Sequence, residues 1–245
     1  MFCRDLNLQH FSCRYGPMIV LHDHKMIFLK PRKVAGTSFE IALSRFSTKP
    51  DDIITPISPD DEAIRKDLGY SCAQNYEAPG KLRRFFDRAP LFWNHMPASE
   101  VKELIGDDVF DSYTKVSLYR SPIDRIVSSF FWRKSRNKHD VDFETFCFEK
   151  AKWTENYPQY FIGQSFVVDH LIRFSDLKGD ILRLEEKIPS LKGLYDTFSQ
   201  IKTKGKSRPK NAKPAEMLAN HPTVQPLSNA YDRYEEKTIL SVTDQ

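Results

Sequence analysis

Lys30, Arg32 and Lys33 stand just ahead of Gly36, Thr37 and Ser38 in the stretch HKMIFLKPRKVAGTSFEIAL, residues 24 to 43. Cations, a small residue and two hydroxyls gathered in one short segment supply what a compact anion needs: charge, close backbone approach and hydrogen-bond donors. The apolar MIFL ahead of them reads as a strand, and SFEIALSRF reads as a helix from about Ser38. A helix N-terminus adds unpaired N–H groups and partial positive charge, so the junction suits a phosphate or sulfate group. It lacks the GxxxxGK[ST] spacing of triphosphate-binding loops, because its glycine comes late and no GK pair follows. A helix capped by Ser38 under solvated lysines would have the same sequence, and the segment taken alone favours the anion only modestly.

A second strand-turn-helix, SLYRSPIDRIVSSFFW, carries a further cation and hydroxyl. The strand is expected over TKVSLY, Thr114 to Tyr119. Pro122 opens the helix and Asp124 occupies its first turn, where a carboxylate favours the helix dipole. Arg120 then lies at the C-terminal end of the strand, the edge at which ligands bind in open α/β sheets, and Ser128 lies about two turns into the helix. An arginine there can grip a phosphate in bidentate fashion. Arg125, inside the helix, is expected to pair with Asp124 or Asp107.

These residues need a framework that brings two strand ends together. IVL from Ile19, then MIFL, TKVSLY and VVDHLIRF are the strand candidates, alternating with helices at SFEIALSRF, DEAIRKDL, MPASEVKELIG, the Pro122 helix, FETFCFEKA and DLKGDILRLEEKI. Pro97 and Gly106 mark the start and stop of the third of these, and Ser175 is a candidate cap for the last. The alternation predicts an α/β fold with a mainly parallel central sheet flanked by helices. Residues 18 to 245 are expected to form a single domain, with residues 1 to 17 as a disordered extension.

Composition narrows the class. The 245 residues are 40% hydrophobic and 29% charged, a globular rather than disordered balance. No apolar run approaches the roughly 20 residues that cross a bilayer, and MFCRDLNLQHFSC lacks the apolar core of a signal peptide, so a cytoplasmic protein is expected. Cys3, Cys13, Cys72 and Cys147 form no CxxC pair, which argues against zinc and disulfides and leaves each as a lone buried thiol. The net charge is +4, but KTKGKSRPKNAK, residues 202 to 213, holds six basic residues and no acid; removing those six from +4 leaves −2 elsewhere. The positive character is therefore local, and no stripe of interleaved aromatic and basic residues suggests nucleic-acid binding.

Taken together, KVAGTS and RSPIDRIVS resemble the two signatures of sulfotransferases that use 3′-phosphoadenosine 5′-phosphosulfate, PK[ST]xGT[ST] and RxPxxRxxS, in the same order and at a typical interval. The resemblance runs over roughly residues 24 to 190 and is nearest to the branch with Golgi carbohydrate sulfotransferases and bacterial members, whose loop reads PKTAGTS. One departure is that Arg32 stands where a proline is usual, with Pro31 displaced by one position. The resemblance implies a P-loop-like nucleotide-binding architecture, the phosphosulfate nucleotide as co-substrate, 3′-phosphoadenosine 5′-phosphate as product, and no metal. It assigns Lys33, Gly36, Thr37 and Ser38, with Ala35 among them, to the 5′-phosphosulfate, and Arg120 and Ser128 to the 3′-phosphate. Lys33 would also neutralise the bridging oxygen as the sulfuryl group departs.

In that branch a histidine between the two motifs takes the acceptor proton, and His95 in FWNHMPASEV fits; histidine titrates near neutrality. Glu40 is a weaker alternative base, and His22 and His24 precede the strand and read as structural. His139 and His170 have no comparable context. A basic C-terminal loop often closes over the nucleotide in the family, which brings in Lys204, Gly205, Lys206 and Arg208, the last as a contact; by default such a run is a solvated loop. The expected partners are the nucleotide donor and a hydroxyl acceptor, in all expectation carbohydrate. The alternatives are a nucleotide-dependent kinase, which the missing GK[ST] disfavours, and a non-enzymatic module that binds an anion or polymer.

Overall fold

A computed structural model describes residues 18–77, 92, 95–137, 140–150, 155–201, 203, 207–233 and 239. The expectations for residues 1 to 17, His139, Lys204, Gly205 and Lys206 fall outside these. Five strands form the central sheet: β1 (Ile19–Leu21), β2 (Met26–Leu29), β3 (Ile53–Ile54), β4 (Thr114–Tyr119) and β7 (His170–Arg173), in the order β3-β1-β2-β4-β7. The sheet is mixed rather than mainly parallel. Neighbours β2, β4 and β7 run parallel, while β1 opposes both β2 and β3. The reason is chain length: only the turn at residues 22–25 links β1 to β2, far too short for the crossover that parallel pairing requires.

Side chains alternate across the strands and fill two separate cores. Ile19, Leu21, Met26, Phe28, Val116 and Leu118 pack with α1 (Gly36–Ser44), α8 (Leu177–Lys187) and α9 (Leu194–Gln200) through Phe39, Leu43, Ile181, Leu184 and Leu194. On the opposite face Val20, Ile27, Leu29 and Tyr119 meet α3 (Ala98–Ile105), α4 (Asp107–Ser112) and α7 (Tyr157–Tyr160) through Val101, Phe110 and Tyr160. Burial on both faces explains why the strands read as nearly continuous apolar runs. A third cluster joins α5 (Pro122–Lys134) to α6 (Phe143–Lys150), with Phe130 packed edge-on against Phe143 and Phe146. Helices α2 (Pro59–Asp67), α10 (Pro214–Asn220) and α11 (Gln225–Tyr231) and the hairpin β5 (Phe161–Ile162) and β6 (Ser165–Phe166) complete the described α-helices and strands.

The third expected helix starts after Pro97 and stops at Gly106, whose φ of 85° and ψ of 155° are a backbone conformation that favours glycine. Before α8 the cap is Asp176, not Ser175: its carboxylate accepts from the Gly179 N–H at 3.1 Å, and Ser175 lies inside a short 3₁₀ turn. Cys147 is buried, and burial pushes its thiol up to about 12; Cys72, against expectation, is exposed. Among the described residues no helix is long and apolar enough to cross a membrane.

Candidate active site

Because β2, β4 and β7 run parallel, with Leu29 opposite Ser117 and Tyr119 opposite Arg173, the chain leaves all three strands at one edge. The segments that follow, at Lys30, Arg120 and Phe174, are neighbours there. Arg120 joins them. Its Nη1 donates to the carbonyl of Lys33 at 3.1 Å, its Nε to Asp124 at 2.6 Å, and its guanidinium lies 4.1 Å from the centre of the Phe174 ring. The two motifs, 87 residues apart, therefore meet by direct contact.

Between β2 and α1 the backbone takes two left-handed steps at non-glycine residues, Lys33 with φ 61° and Ala35 with φ 67°. Such conformations cost on the order of 1 kcal/mol each and persist where surrounding contacts enforce them. No side chain caps α1. Ser38 is thus not an N-cap, and its hydroxyl instead meets that of Thr203 at 2.6 Å. The uncapped first turn presents the N–H groups that suit an anion.

The charges in the loop divide. Lys33 Nζ lies 4.8 Å from the centre of the Trp132 indole, a cation–π contact from α5 that holds the ammonium at the loop. Lys30, expected to add charge to the loop, turns into the protein. Its Nζ pairs with Glu40 at 3.1 Å and reaches Thr37 Oγ1 at 3.3 Å, and Arg65 pairs with the same Glu40 carboxylate at 3.2 Å from the other side. Glu40 and Arg65 are both 0% exposed. Burial pushes the Glu40 carboxyl up, while Lys30 and then Arg65 pull it down. Glu40 is the centre of a buried ion cluster rather than a group that could reach an acceptor. Gly36 matters here for packing: a Cβ at that position would lie 2.8 Å from both Cγ and Cε of Lys30. The close approach expected of Gly36 is made by the Lys30 stem.

Arg32, in the motif's proline position, uses what proline lacks. Its N–H donates to Asn156 Oδ1 at 2.7 Å, and its carbonyl accepts from Asn156 Nδ2 at 3.0 Å. Burial lowers the Arg32 guanidinium pKa from its ordinary value.

His95 adopts a left-handed backbone, φ 59°. Its Nδ1 is 3.0 Å from the carbonyl of Lys30. A carbonyl only accepts, so Nδ1 carries the proton in the neutral ring and Nε2 is left with the lone pair, the tautomer a general base requires. Burial, followed by the positive charges of Lys30, Arg32 and Lys33, holds its pKa well below 6.5.

Asp124 links the second motif to the C-terminal segment. One oxygen takes Arg120 and the other takes Arg208 Nη1, while Arg208 Nε donates to the Ala212 carbonyl at 2.6 Å. Burial pushes the Asp124 carboxyl up, but Arg120 and Arg208 outweigh it and hold it below the ordinary carboxylate value. Two guanidiniums around one carboxylate leave a net positive charge. Arg208 is thereby brought to the site, as is Thr203. Arg125 does not take the expected partners: Asp124 pairs with the two arginines, Asp107 pairs with Lys102 at 3.7 Å, and Arg125 is itself buried. Ser128 is half-buried on α5, one residue from the buried Ser129.

Three side chains at the site had no sequence signal. Trp132 reads as core in FFW, and Asn156 and Gln159 fall in a short turn without periodicity. His22, His24 and His170 make contacts remote from the loop, with Tyr113, Ser190 and the Asp180 carbonyl respectively.

A protein from Archaeoglobus fulgidus described only as uncharacterized is 28% identical over 100 residues, covering 38% of this chain and 82% of its own length. No solved structure matches. The model of the sulfotransferase family matches residues 17–225, spanning both motifs, His95 and Arg208, and the chain belongs to that family.

Proposed function

We propose that this protein transfers the sulfuryl group of 3′-phosphoadenosine 5′-phosphosulfate to a hydroxyl group, on a carbohydrate in the first instance, and that the edge formed by Lys33, α1 and Arg120 is the donor site. The observation that carries this reading is the contact between motifs: Arg120 holds the Lys33 carbonyl at 3.1 Å, so a 5′-anion at the helix start and a 3′-anion at the arginine can be held by one nucleotide. Lys33, Ala35, Gly36, Thr37 and Ser38 would bind the phosphosulfate through backbone N–H groups, hydroxyls and the ammonium. Arg120, Ser128 and Arg208 would take the 3′-phosphate.

Chemistry then proceeds in line. The acceptor oxygen forms a bond to sulfur as the bond from sulfur to the bridging oxygen breaks, and the electron pair leaves on the nucleotide phosphate. Lys33 neutralises that oxygen, and His95 Nε2 takes the acceptor proton. Charge stabilisation and positioning supply most of the rate in this class of transfer. Burial is the largest cause of the depressed His95 pKa and the charges of Lys30, Arg32 and Lys33 add to it; a bound donor anion would offset the cations' share and so raise it toward the range a base needs.

Calorimetric titration with 3′-phosphoadenosine 5′-phosphate tests the donor site. Charge-assisted hydrogen bonds contribute about 1.5–3 kcal/mol, so Arg120→Ala and Lys33→Ala should each weaken binding by about 10- to 100-fold. A wild-type chain that does not bind the nucleotide would sink the reading. Transfer from sulfur-labelled donor to a panel of hydroxyl acceptors then identifies the acceptor.

A further inference from the structure

Asn156, Gln159 and Tyr160 lie within a single turn, the start and body of α7, yet each side chain ends on a different part of the site. Asn156, 0% exposed, meets both backbone groups of Arg32 in the anion loop. Gln159 Nε2 donates to the His95 carbonyl at 2.7 Å. Tyr160 donates its hydroxyl to the Leu118 carbonyl at 2.8 Å, two residues before Arg120. All three receiving groups are main-chain atoms, so these contacts fix backbone position rather than side-chain charge.

We infer that this turn is a clasp that holds the anion loop, the base and the second strand end in register, with Asn156, Gln159 and Tyr160 as positioning residues for sulfuryl transfer. Two features make the contacts more than ordinary packing. The anion loop carries left-handed Lys33 and Ala35, and its only proline, Pro31, precedes Arg32, whose N–H and C=O both take Asn156 as partner. His95 is left-handed too, so without Gln159 on its carbonyl the residue can relax to the ordinary helical or extended backbone. That relaxation would swing the imidazole away from the Lys30 carbonyl that sets its tautomer.

This inference rests on the donor-site reading for its nucleotide arm, and the His95 arm stands apart from it. In the full-length chain, Asn156→Ala should weaken 3′-phosphoadenosine 5′-phosphate at least tenfold, whereas Gln159→Met, which keeps the buried stem, should leave that affinity within about twofold. Gln159→Met should instead move the His95 ring nitrogen resonances and their titration midpoint, measured by ¹⁵N NMR without ligand; Asn156→Ala should shift them less. A purely structural role would impair both properties in both variants. Equal loss of both, unchanged nucleotide affinity in Asn156→Ala, or unmoved His95 resonances in Gln159→Met overturns the clasp. If the wild-type chain fails to bind nucleotide, the donor reading falls and the His95 resonances alone decide the clasp. If Asn156→Ala does not fold, Asn156→Asp, which keeps the acceptor for the Arg32 N–H and loses the donor, should give an intermediate loss, and full wild-type affinity in it counts against the clasp.

Discussion

Gly36→Ala is the substitution on which the structure and general experience disagree in sign. At the start of a helix, replacing a glycine of ordinary backbone conformation by alanine stabilises by about 0.4–1 kcal/mol, chiefly by restricting the unfolded chain. Here the added methyl would lie 2.8 Å from Cγ and Cε of Lys30, where carbon atoms settle at about 3.5–4.0 Å. The Lys30 stem must therefore move by roughly 1 Å, and its ammonium is held at 3.1 Å from the buried Glu40 carboxylate. Overpacking of this kind costs about 1–3 kcal/mol. A shift that also broke the Lys30–Glu40 pair would add to it, since one-sided loss of a buried pair costs about 3–5 kcal/mol. The expected net is a loss of about 1–3 kcal/mol, seen as a lower urea midpoint with an unchanged slope. In a Lys30→Ala background the carbons that the methyl would meet are gone, and Gly36→Ala should there be neutral or stabilising. A Gly36→Ala protein as stable as wild type, or the same penalty in both backgrounds, would refute the packing account of this glycine.

Three further outcomes concern titration. His95 has its folded pKa depressed, so the unfolded chain binds its proton first; stability should fall as pH drops below about 6.5 and level off below the folded value, and His95→Gln should flatten that part of the urea-midpoint profile. Adding 3′-phosphoadenosine 5′-phosphate should move the His95 midpoint upward by NMR, and a downward or absent move would contradict its placement beside the donor. Asp124 has its folded pKa depressed in the usual carboxylate direction, so Asp124→Asn should destabilise by about 1–3 kcal/mol at neutral pH, scaled down from a fully buried pair because the site is partly exposed. That difference should shrink as pH falls below about 3.8 through the folded value; a gap that persists unchanged in acid would show that Arg120 and Arg208 are not what the carboxylate serves.

Much of the framework was legible in the sequence because local signals agreed. TKVSLY forms the strand Thr114–Tyr119 as read, Pro122 opens α5, and Pro97 and Gly106 bracket α3, since proline and glycine act through their own backbone geometry. The direction of β1 was less visible, because it follows from pairing partners rather than from composition. Both motif residues and His95 converge, but the fate of individual charges did not follow from residue type. Lys30 and Lys33 are three positions apart and chemically identical, yet one enters a buried ion cluster and the other lies on Trp132. What separates them is the tertiary position of Glu40, Arg65 and the indole. Asn156 and Gln159 were silent for a similar reason: a side-chain amide on a distant main chain leaves no spacing to read.

The amide of Asn156 also alters which residues position 32 can accept. Where a proline fixes a loop by its own ring, the position admits little else. Here the loop is fixed from outside, through the N–H and C=O that any other amino acid would offer equally well. As far as the backbone is concerned, proline is the one residue position 32 excludes, the inverse of what the family's signature prescribes. Asn156, 124 residues away, takes over the task of holding position 32, so the constraint on the loop has passed from the ring of its own residue to an amide at the start of α7.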